Sequence, residues 1–167
     1  ATDVKGAFNA AAPEWVYHAA AYKHVTMAER AVVAAARVNV LGTVLVSAAV
    51  RRASARLVLV STDKAAEPIS VMGATKRLAE MVVLDGEHVG VRPTIVRFGN
   101  VLGSSGSILE VMCRAIAESR PIPLTAPDAT RYFMTASEAV SLVLTAGALD
   151  GHGDVFWVDM GAPVAVG

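Results

Sequence analysis

Residues 57–76 read Leu-Val-Leu-Val-Ser-Thr-Asp-Lys-Ala-Ala-Glu-Pro-Ile-Ser-Val-Met-Gly-Ala-Thr-Lys. The first five, Leu57 to Ser61, form an apolar, β-branched run of the kind a buried strand needs. Met72 opens a helical pattern running to roughly His88, with Leu78, Met81 and Val82 on one face. The same alternation continues on both sides. Upstream, Trp15-Val16-Tyr17-His18-Ala19-Ala20 follows Pro13 as a second buried strand, and Ala-rich Met27 to Val50 reads as one or two helical stretches. Downstream come a strand at Thr94 to Phe98, helices at Ile108 to Ala117 and Ser137 to Leu149 (the second opened by a Ser N-cap), and a last strand at Val155 to Val158. Apolar strands alternating with helices, without hairpin signals, predict an α/β fold built on a parallel sheet. Right-handed crossovers bring the carboxyl ends of all strands to one edge, where ligands bind. The polar residues that follow the strands are therefore the ones to read: His18 to His24, Ser61 to Lys64, and Phe98 to Ser107.

Bulk composition narrows the possibilities. With 167 residues, 54% hydrophobic and 18% charged, the chain is long and apolar enough for a packed domain. Lys+Arg and Asp+Glu are 15 each, which gives no electrostatic basis for binding nucleic acid or an anionic membrane. The single cysteine, Cys113, excludes an internal disulfide and a cysteine-built metal site; it reads as a small buried hydrophobe on a helix and fits a reducing cytoplasm. The histidines His18, His24, His88 and His152 lack metal-ligand spacing. The longest apolar run, Val38 to Val50 between Arg37 and Arg51, falls short of the ~20 residues of a membrane helix, and no signal peptide is visible. The chain begins with Ala1 rather than Met, and no G-x-G-x-x-G turn precedes the first strand. Gly99 to Gly106 is glycine-rich but comes too late and with the wrong spacing.

Five segments in order carry a resemblance: His18-Ala-Ala-Ala-Tyr-Lys-His-Val25; Asn39-Val-Leu-Gly-Thr43; Ser61-Thr-Asp-Lys-Ala65 with Met72-Gly-Ala-Thr-Lys76; Arg97-Phe-Gly-Asn-Val-Leu-Gly-Ser104; and Thr130-Arg-Tyr-Phe-Met134. From about Asp3 to Met160 the chain resembles the CapD-like polysaccharide-biosynthesis group of extended short-chain dehydrogenases/reductases, which includes UDP-N-acetylglucosamine 4,6-dehydratases. The resemblance implies a Rossmann-like doubly wound parallel sheet, incomplete because the first βαβ unit with its Gly-rich turn would lie upstream of residue 1. Residues 1–100 would be the later portion of the NAD(P)-binding domain with the catalytic residues, and 101–167 a truncated substrate-binding part. Asp159-Met160-Gly161 matches a segment that normally leads into a further helix. The expected cofactor is NAD or NADP, held through a turnover. The expected partner is a UDP-sugar, with no nucleic acid and no membrane contact by this segment, and the expected assembly is a homo-oligomer. The location implied is the cytoplasm, the parent being usually a long membrane-anchored form.

The resemblance also distributes roles. Ala19, Ala20 and Ala21 are small residues at a strand end, suited either to close cofactor approach or to tight helix–strand packing. Asn39 lies inside a helical pattern that does not favour Asn, so a place beside the cofactor competes with a solvent-facing one. Ser61, Lys76, Phe98 and Gly99 complete the implied cofactor contacts. Met72 and Lys76 are four apart and share a helix face; most relatives have Tyr at the first position, and a thioether cannot exchange a proton. One branch of the group carries Met there, so Met72 marks that branch and acts as filling, with a lost active site as the competing reading. Thr62 precedes the acid–amine pair Asp63 and Lys64. In the implied reaction the sugar is oxidised at C4, Lys64 removes the C5 proton, Asp63 protonates the leaving C6 hydroxyl, and hydride returns to C6. A free lysine titrates at ~10.4, so such a base must give up its proton, which burial and neighbouring positive charge favour. Lys76 through a water, Lys64 and Asp63 all remain candidates for taking the C4 hydroxyl proton.

Substrate contacts are expected from Asn100, from Ser104 and Ser107 with the amides of Gly103 to Ser107 at a helix start, from the Arg131 guanidinium against a diphosphate, and from Lys23 and His24. Ala31-Val32 stands where relatives carry Asn-Pro, and Thr26 replaces a common Pro, so the helix start there is expected to differ. The leading reading is a 4,6-dehydratase. A 4-epimerase would need the Tyr that Met72 replaces, and a third reading is a segment that binds UDP-sugar weakly or only folds.

Overall fold

The computed structural model describes residues 2–85, 93–122, 129–149 and 154–166. Helix α1 (Thr2–Ala11) leads to strand β1 (Trp15–His18). Helices α2 (Val25–Arg30) and α3 (Val32–Ala36) follow, then a π-helical turn over Arg37–Leu41 that runs directly into α4 (Gly42–Ala53). Next come β2 (Arg56–Thr62), a 3₁₀ turn at Asp63–Ala65, α5 (Val71–Asp85), β3 (Pro93–Phe98) and the short β4 (Asn100–Val101). The remainder comprises α6 (Ile108–Ala117), β5 (Thr130–Arg131), β6 (Phe133–Met134), α7 (Ala136–Ala148), β7 (Val155–Trp157) and β8 (Val164–Ala165).

The main sheet has the order β1-β2-β3-β7, and every pairing in it is parallel. Helices cover both faces, as parallel strands require. Leu57, Leu59 and Ile95 meet Val50 of α4 and Ala79 and Val83 of α5 on one face. On the other, Val58 and Val96 meet Ala146 of α7, with Trp15, Phe98 and Phe156 alongside. Gly147 lets α7 approach closely, since a Cβ there would lie 3.1 Å from Val58 Cγ2. This is the parallel α/β architecture that the alternation predicts and the Rossmann-like sheet that the resemblance implies. The segment expected as a separate substrate part, 101–167, also gives β7 and α7 to the main sheet, so the two halves interlock. Two small sheets, β4–β6 parallel and β5–β8 antiparallel, stand beyond the carboxyl end of β3.

Several expectations need correction. The buried face of α5 is Met72, Gly73, Thr75, Lys76, Ala79, Glu80 and Val83, whereas Leu78 and Met81 are exposed. Polar residues take the interior here because each finds a partner there. Strand β1 stops at His18, leaving Ala19 and Ala20 beyond it. The α7 N-cap is Thr135, which forms a reciprocal capping box with Glu138, so Ser137 lies inside the helix. Cys113 is exposed on α6. The helical run Val32–Ala53 is 22 residues long and apolar enough to cross a membrane, longer than the sequence run suggested; yet it buries the polar residues Asn39, Thr43 and Ser47, and Asn39 and Thr43 are hydrogen-bonded there. Ala31 (φ −134°, ψ 53°) breaks the chain between α2 and this run, at the position where the helix start was expected to differ. The far end of the α5 pattern at His88, and His152, lie outside the described residues.

Candidate active site

At the carboxyl edge of the sheet, β2 ends in Thr62 and turns at once into Asp63–Ala65. The Asp63 Oδ1 atom accepts three bonds: from the Thr62 hydroxyl at 2.8 Å, from the Lys64 amide at 3.0 Å and from Lys64 Nζ at 2.9 Å. Lys64 Nζ also donates to Asn100 Oδ1 at 3.1 Å. The ends of β2 and β3 are thereby joined by a polar cluster that stays partly open, with the Lys64 and Asp63 side chains 27% and 22% exposed. Asn100 is held by its own backbone, its N–H donating to Tyr132 O at 2.9 Å.

Behind this cluster the polar groups are buried. Lys76 Nζ donates to Val60 O at 2.6 Å, and burial lowers its pKa to about 8, although the nearby Glu80 charge works the other way. Asn39 is buried in the π-helical turn. It accepts from the Tyr22 amide at 2.6 Å and donates to Thr75 Oγ1 at 2.9 Å, so it ties the loop after β1 to α5. A solvent-facing Asn39 is thus ruled out. Thr43 donates to Asn39 O at 2.6 Å, which leaves its oxygen to accept from His18 Nε2 at 3.0 Å. His18 therefore carries its proton on Nε2. Its pKa falls to about 4, first through burial and then through the charge of Lys76. Met72 packs against Ala28 and Ala35 with Tyr22, Val25 and Val71 around it, an apolar role.

Other residues singled out by sequence fall elsewhere. The Ser61 hydroxyl donates to Glu80 Oε1 at 2.6 Å, so it braces α5. Phe98 packs on the Val58–Val96–Ala146 face. Gly99 is enclosed by the protein itself, a Cβ there lying 2.8 Å from Tyr132 O and 2.9 Å from Met160 Sδ. Ala19 and Ala20 are exposed and Ala21 half-buried just past β1. Lys23 is exposed. The His24 ring lies over Gly106, whose φ of +65° and lack of a Cβ permit the contact. Ser104 O accepts from Ser107 N at 2.8 Å, and Ser107 caps α6 through Glu110 N. Arg131 sits on the β5–β8 ribbon and donates to Thr130 O at 2.7 Å; its recorded bond joins it to none of the other site residues. Sequence reading missed Glu80 and Arg97. Glu80, fully buried, accepts from Ser61, from Arg77 at 3.1 Å and from Arg97 Nε at 2.7 Å, and Arg97 lies over the Trp157 ring at 4.9 Å. The one signal was an Arg inside the apolar strand Thr94 to Phe98, since a buried charge demands a partner. Among the described residues no group of His, Cys, Asp and Glu could hold a metal ion.

A family model described as polysaccharide biosynthesis protein matches residues 1–167. The chain belongs to the polysaccharide biosynthesis protein family. Within this family it is 48% identical over 157 residues to the capsular polysaccharide biosynthesis protein CapD of Staphylococcus aureus, and 46% identical over 156 residues to the probable polysaccharide biosynthesis protein EpsC of Bacillus subtilis. Each match takes in 92% of this chain and 26% of the relative, so the chain spans about a quarter of those proteins. A UDP-glucose 4-epimerase of Rickettsia canadensis is 35% identical over 86% of this chain and 43% of its own length. Among solved structures, Pen from Bacillus thuringiensis superposes with TM-score 0.89 at 30% identity, covering 97% of this chain and 51% of that one. MoeE5 in complex with UDP-glucose and NAD superposes with TM-score 0.81 at 23% identity, over 92% of this chain and 58% of its own, a likeness of fold. The CapD-like assignment and the Rossmann-like fold expected from the motifs both hold.

Proposed function

We propose that the protein carrying this chain is an NAD(P)-dependent nucleotide-sugar 4,6-dehydratase acting on UDP-N-acetylglucosamine or a close UDP-sugar, in the cytoplasm. The observation that carries this reading is the meeting of Asp63, Lys64 and Asn100 where β2 and β3 end. An acid and an amine side by side suit an elimination.

The chain's own residues divide the work. The Lys64 amine takes the C5 proton from a 4-keto sugar, the C5–H electrons become the C5=C6 double bond, and the C6–O bond breaks as Asp63 gives that oxygen a proton and water leaves. Asp63 then stands as carboxylate and Lys64 as ammonium. The geometry at hand matches that charge state, three donors converging on Asp63 Oδ1. When C6 takes up hydride, the Lys64 ammonium returns its proton to C5, and the proton given up by the C4 hydroxyl on its oxidation re-protonates Asp63, which restores the working pair. Thr62 keeps the carboxylate in register through its 2.8 Å bond.

The cofactor fits these residues. Ala19 and Ala20 present small exposed side chains at the end of β1, and Lys76 commits one N–H, to Val60 O, among the described residues, leaving two donors for a ribose. NAD(P) bound there supplies the acceptor and donor of hydride. The NAD complex of MoeE5, which shares the fold, supports this.

The Rickettsia relative named as a UDP-glucose 4-epimerase favours a second reading, epimerisation at C4. Mass spectrometry of UDP-N-acetylglucosamine after incubation with the full-length protein and NAD(P) separates the two. Loss of one water supports dehydration, an unchanged mass with a new diastereomer supports epimerisation, and unaltered substrate refutes both.

A further inference from the structure

Among the described residues Lys64 Nζ has two protein acceptors, and they differ in kind. Asp63 Oδ1, at 2.9 Å, carries charge; Asn100 Oδ1, at 3.1 Å, does not. Both are held by rigid backbone. The Asp63–Ala65 turn is seated on Gly73 of α5, where a Cβ would lie 2.5 Å from the Lys64 carbonyl oxygen. Asn100 follows Gly99, which has no room for a Cβ and whose N–H meets Met160 Sδ at 3.0 Å, and the β4–β6 ladder fixes Asn100 against Phe133.

A neutral amine has two N–H bonds and one lone pair. If both N–H bonds are taken by fixed acceptors, the direction of the lone pair is set by tetrahedral geometry. We propose that Asn100 is a positioning residue: with Asp63 it occupies both N–H bonds of the neutral Lys64 amine and so fixes the direction of the lone pair that receives the proton. Being uncharged, the carboxamide does this without tying down a third proton, which a carboxylate at its place would do. The inference rests on the reading of Lys64 as the base and goes beyond a substrate-binding role for Asn100.

The surroundings leave Asn100 this task. The charged groups on the elements packed against the turn are Lys76, Arg77, Glu80 and, at its far end, Asp85 of α5, and Arg97 of β3. Glu80 takes Arg77 and Arg97, and Lys76 is bound to Val60 O. None of these is recorded bonding Lys64 Nζ, whose acceptors among the described residues are Asp63 and Asn100.

The experiment is a pH profile of kcat and KM for the full-length protein with UDP-N-acetylglucosamine, in Asn100→Asp, Asn100→Ala and Lys64→Ala. In Asn100→Asp a carboxylate at position 100 holds the amine protonated, so the lower-pH limb of kcat moves up by about 1–3 pH units and rate returns at high pH. In Asn100→Ala an unaimed amine lowers kcat about 10²-fold with KM unchanged. Asn100→Ser, also without a carboxamide, replaces the Ala variant if circular dichroism shows that it does not fold. A rise in KM with unchanged kcat, or a loss in Asn100→Asp that is equal at every pH, overturns the inference. Wild-type kcat in Lys64→Ala removes the base itself and with it the reading on which the inference rests; an inactive Lys64→Ala beside Asn100 variants altered only in KM removes the inference alone.

Discussion

Gly73 lies directly beneath the carbonyl of Lys64: a methyl group built on its α-carbon would stand 2.5 Å from that oxygen and 3.3 Å from the carbonyl carbon. The first turn of α5, which carries Met72 and Lys76, is thus seated against the turn that carries Asp63 and Lys64. The absence of one side chain sets the spacing between the two.

Gly73→Ala should therefore lower both stability and activity. Alanine favours a helix over glycine by about 1 kcal/mol, but overpacking against backbone costs about 1–3 kcal/mol. The displaced turn should lower kcat about 10²-fold. Gly6, inside α1 with nothing within 4 Å of a Cβ, is the control: Gly6→Ala should stabilise by roughly 0.5–1 kcal/mol. Urea denaturation and turnover measured on both variants check the contrast. A Gly73→Ala protein as active as wild type would show that the seat is loose.

This seat illustrates what a sequence displays and what it conceals. The strands were legible because parallel β2 and β3 are buried on both faces and so read as continuous apolar runs. The acid–amine pair was legible because it directly follows a strand. The inward face of α5 was not, because Lys76 and Glu80 look solvated until their partners, Val60 O and Arg97, are brought in from strands 16 and 17 residues away. Asn39 was ambiguous for the same reason, since its partners Tyr22 and Thr75 come from separate elements. The small sheets β4–β6 and β5–β8 rest on two-residue strands, too short for any periodicity to register.

The Glu80–Arg97 pair should behave as a buried unit. Burial works to raise the Glu80 pKa, but the hydrogen bonds from Arg97 and Ser61, the Arg97 charge and the Arg77 bond outweigh it and the carboxyl sits below its ordinary value. Arg97→Met alone leaves a charge without its main partner and should cost about 3–5 kcal/mol. Adding Glu80→Leu should recover much of that loss. Because the folded pKa is depressed, the pair's contribution is present above the unfolded carboxylate range and is lost as pH falls through the folded value. Guanidinium titrations of the single and double variants test this; additive losses would mean the two side chains act independently.

His18 should make the fold sensitive to mild acid. Its pKa is lowered from 6.5 to about 4, so between those values the unfolded chain takes a proton that the folded chain refuses. Stability should fall as pH drops through that window, by up to about 3 kcal/mol, and level off below it. His18→Gln keeps a donor for Thr43 Oγ1 and has no proton to gain, so subtracting its profile from that of the wild type should isolate the effect. Parallel profiles from pH 7 to pH 4 would place the imidazole in contact with solvent.

Lys76 gives the opposite test at alkaline pH. Burial lowers its pKa from 10.5 to about 8, so the folded chain releases this proton while the unfolded chain still holds it. Unfolding then takes up a proton between about pH 8 and pH 10.5, and stability should rise across that window by about 3 kcal/mol; below it the difference is constant. Lys76→Met removes the titrating group along with the desolvation penalty of a buried ammonium, and gives up one hydrogen bond worth about 1 kcal/mol. The variant should thus be at least as stable as wild type at pH 7 and lack the alkaline rise. If Lys76 also holds the cofactor, its turnover should be lost in the same protein. Stability that is retained while activity disappears would place this lysine among residues kept for chemistry at the expense of the fold. A Lys76→Met protein that unfolds more readily at pH 7 would instead make the Val60 carbonyl bond the reason the lysine is there.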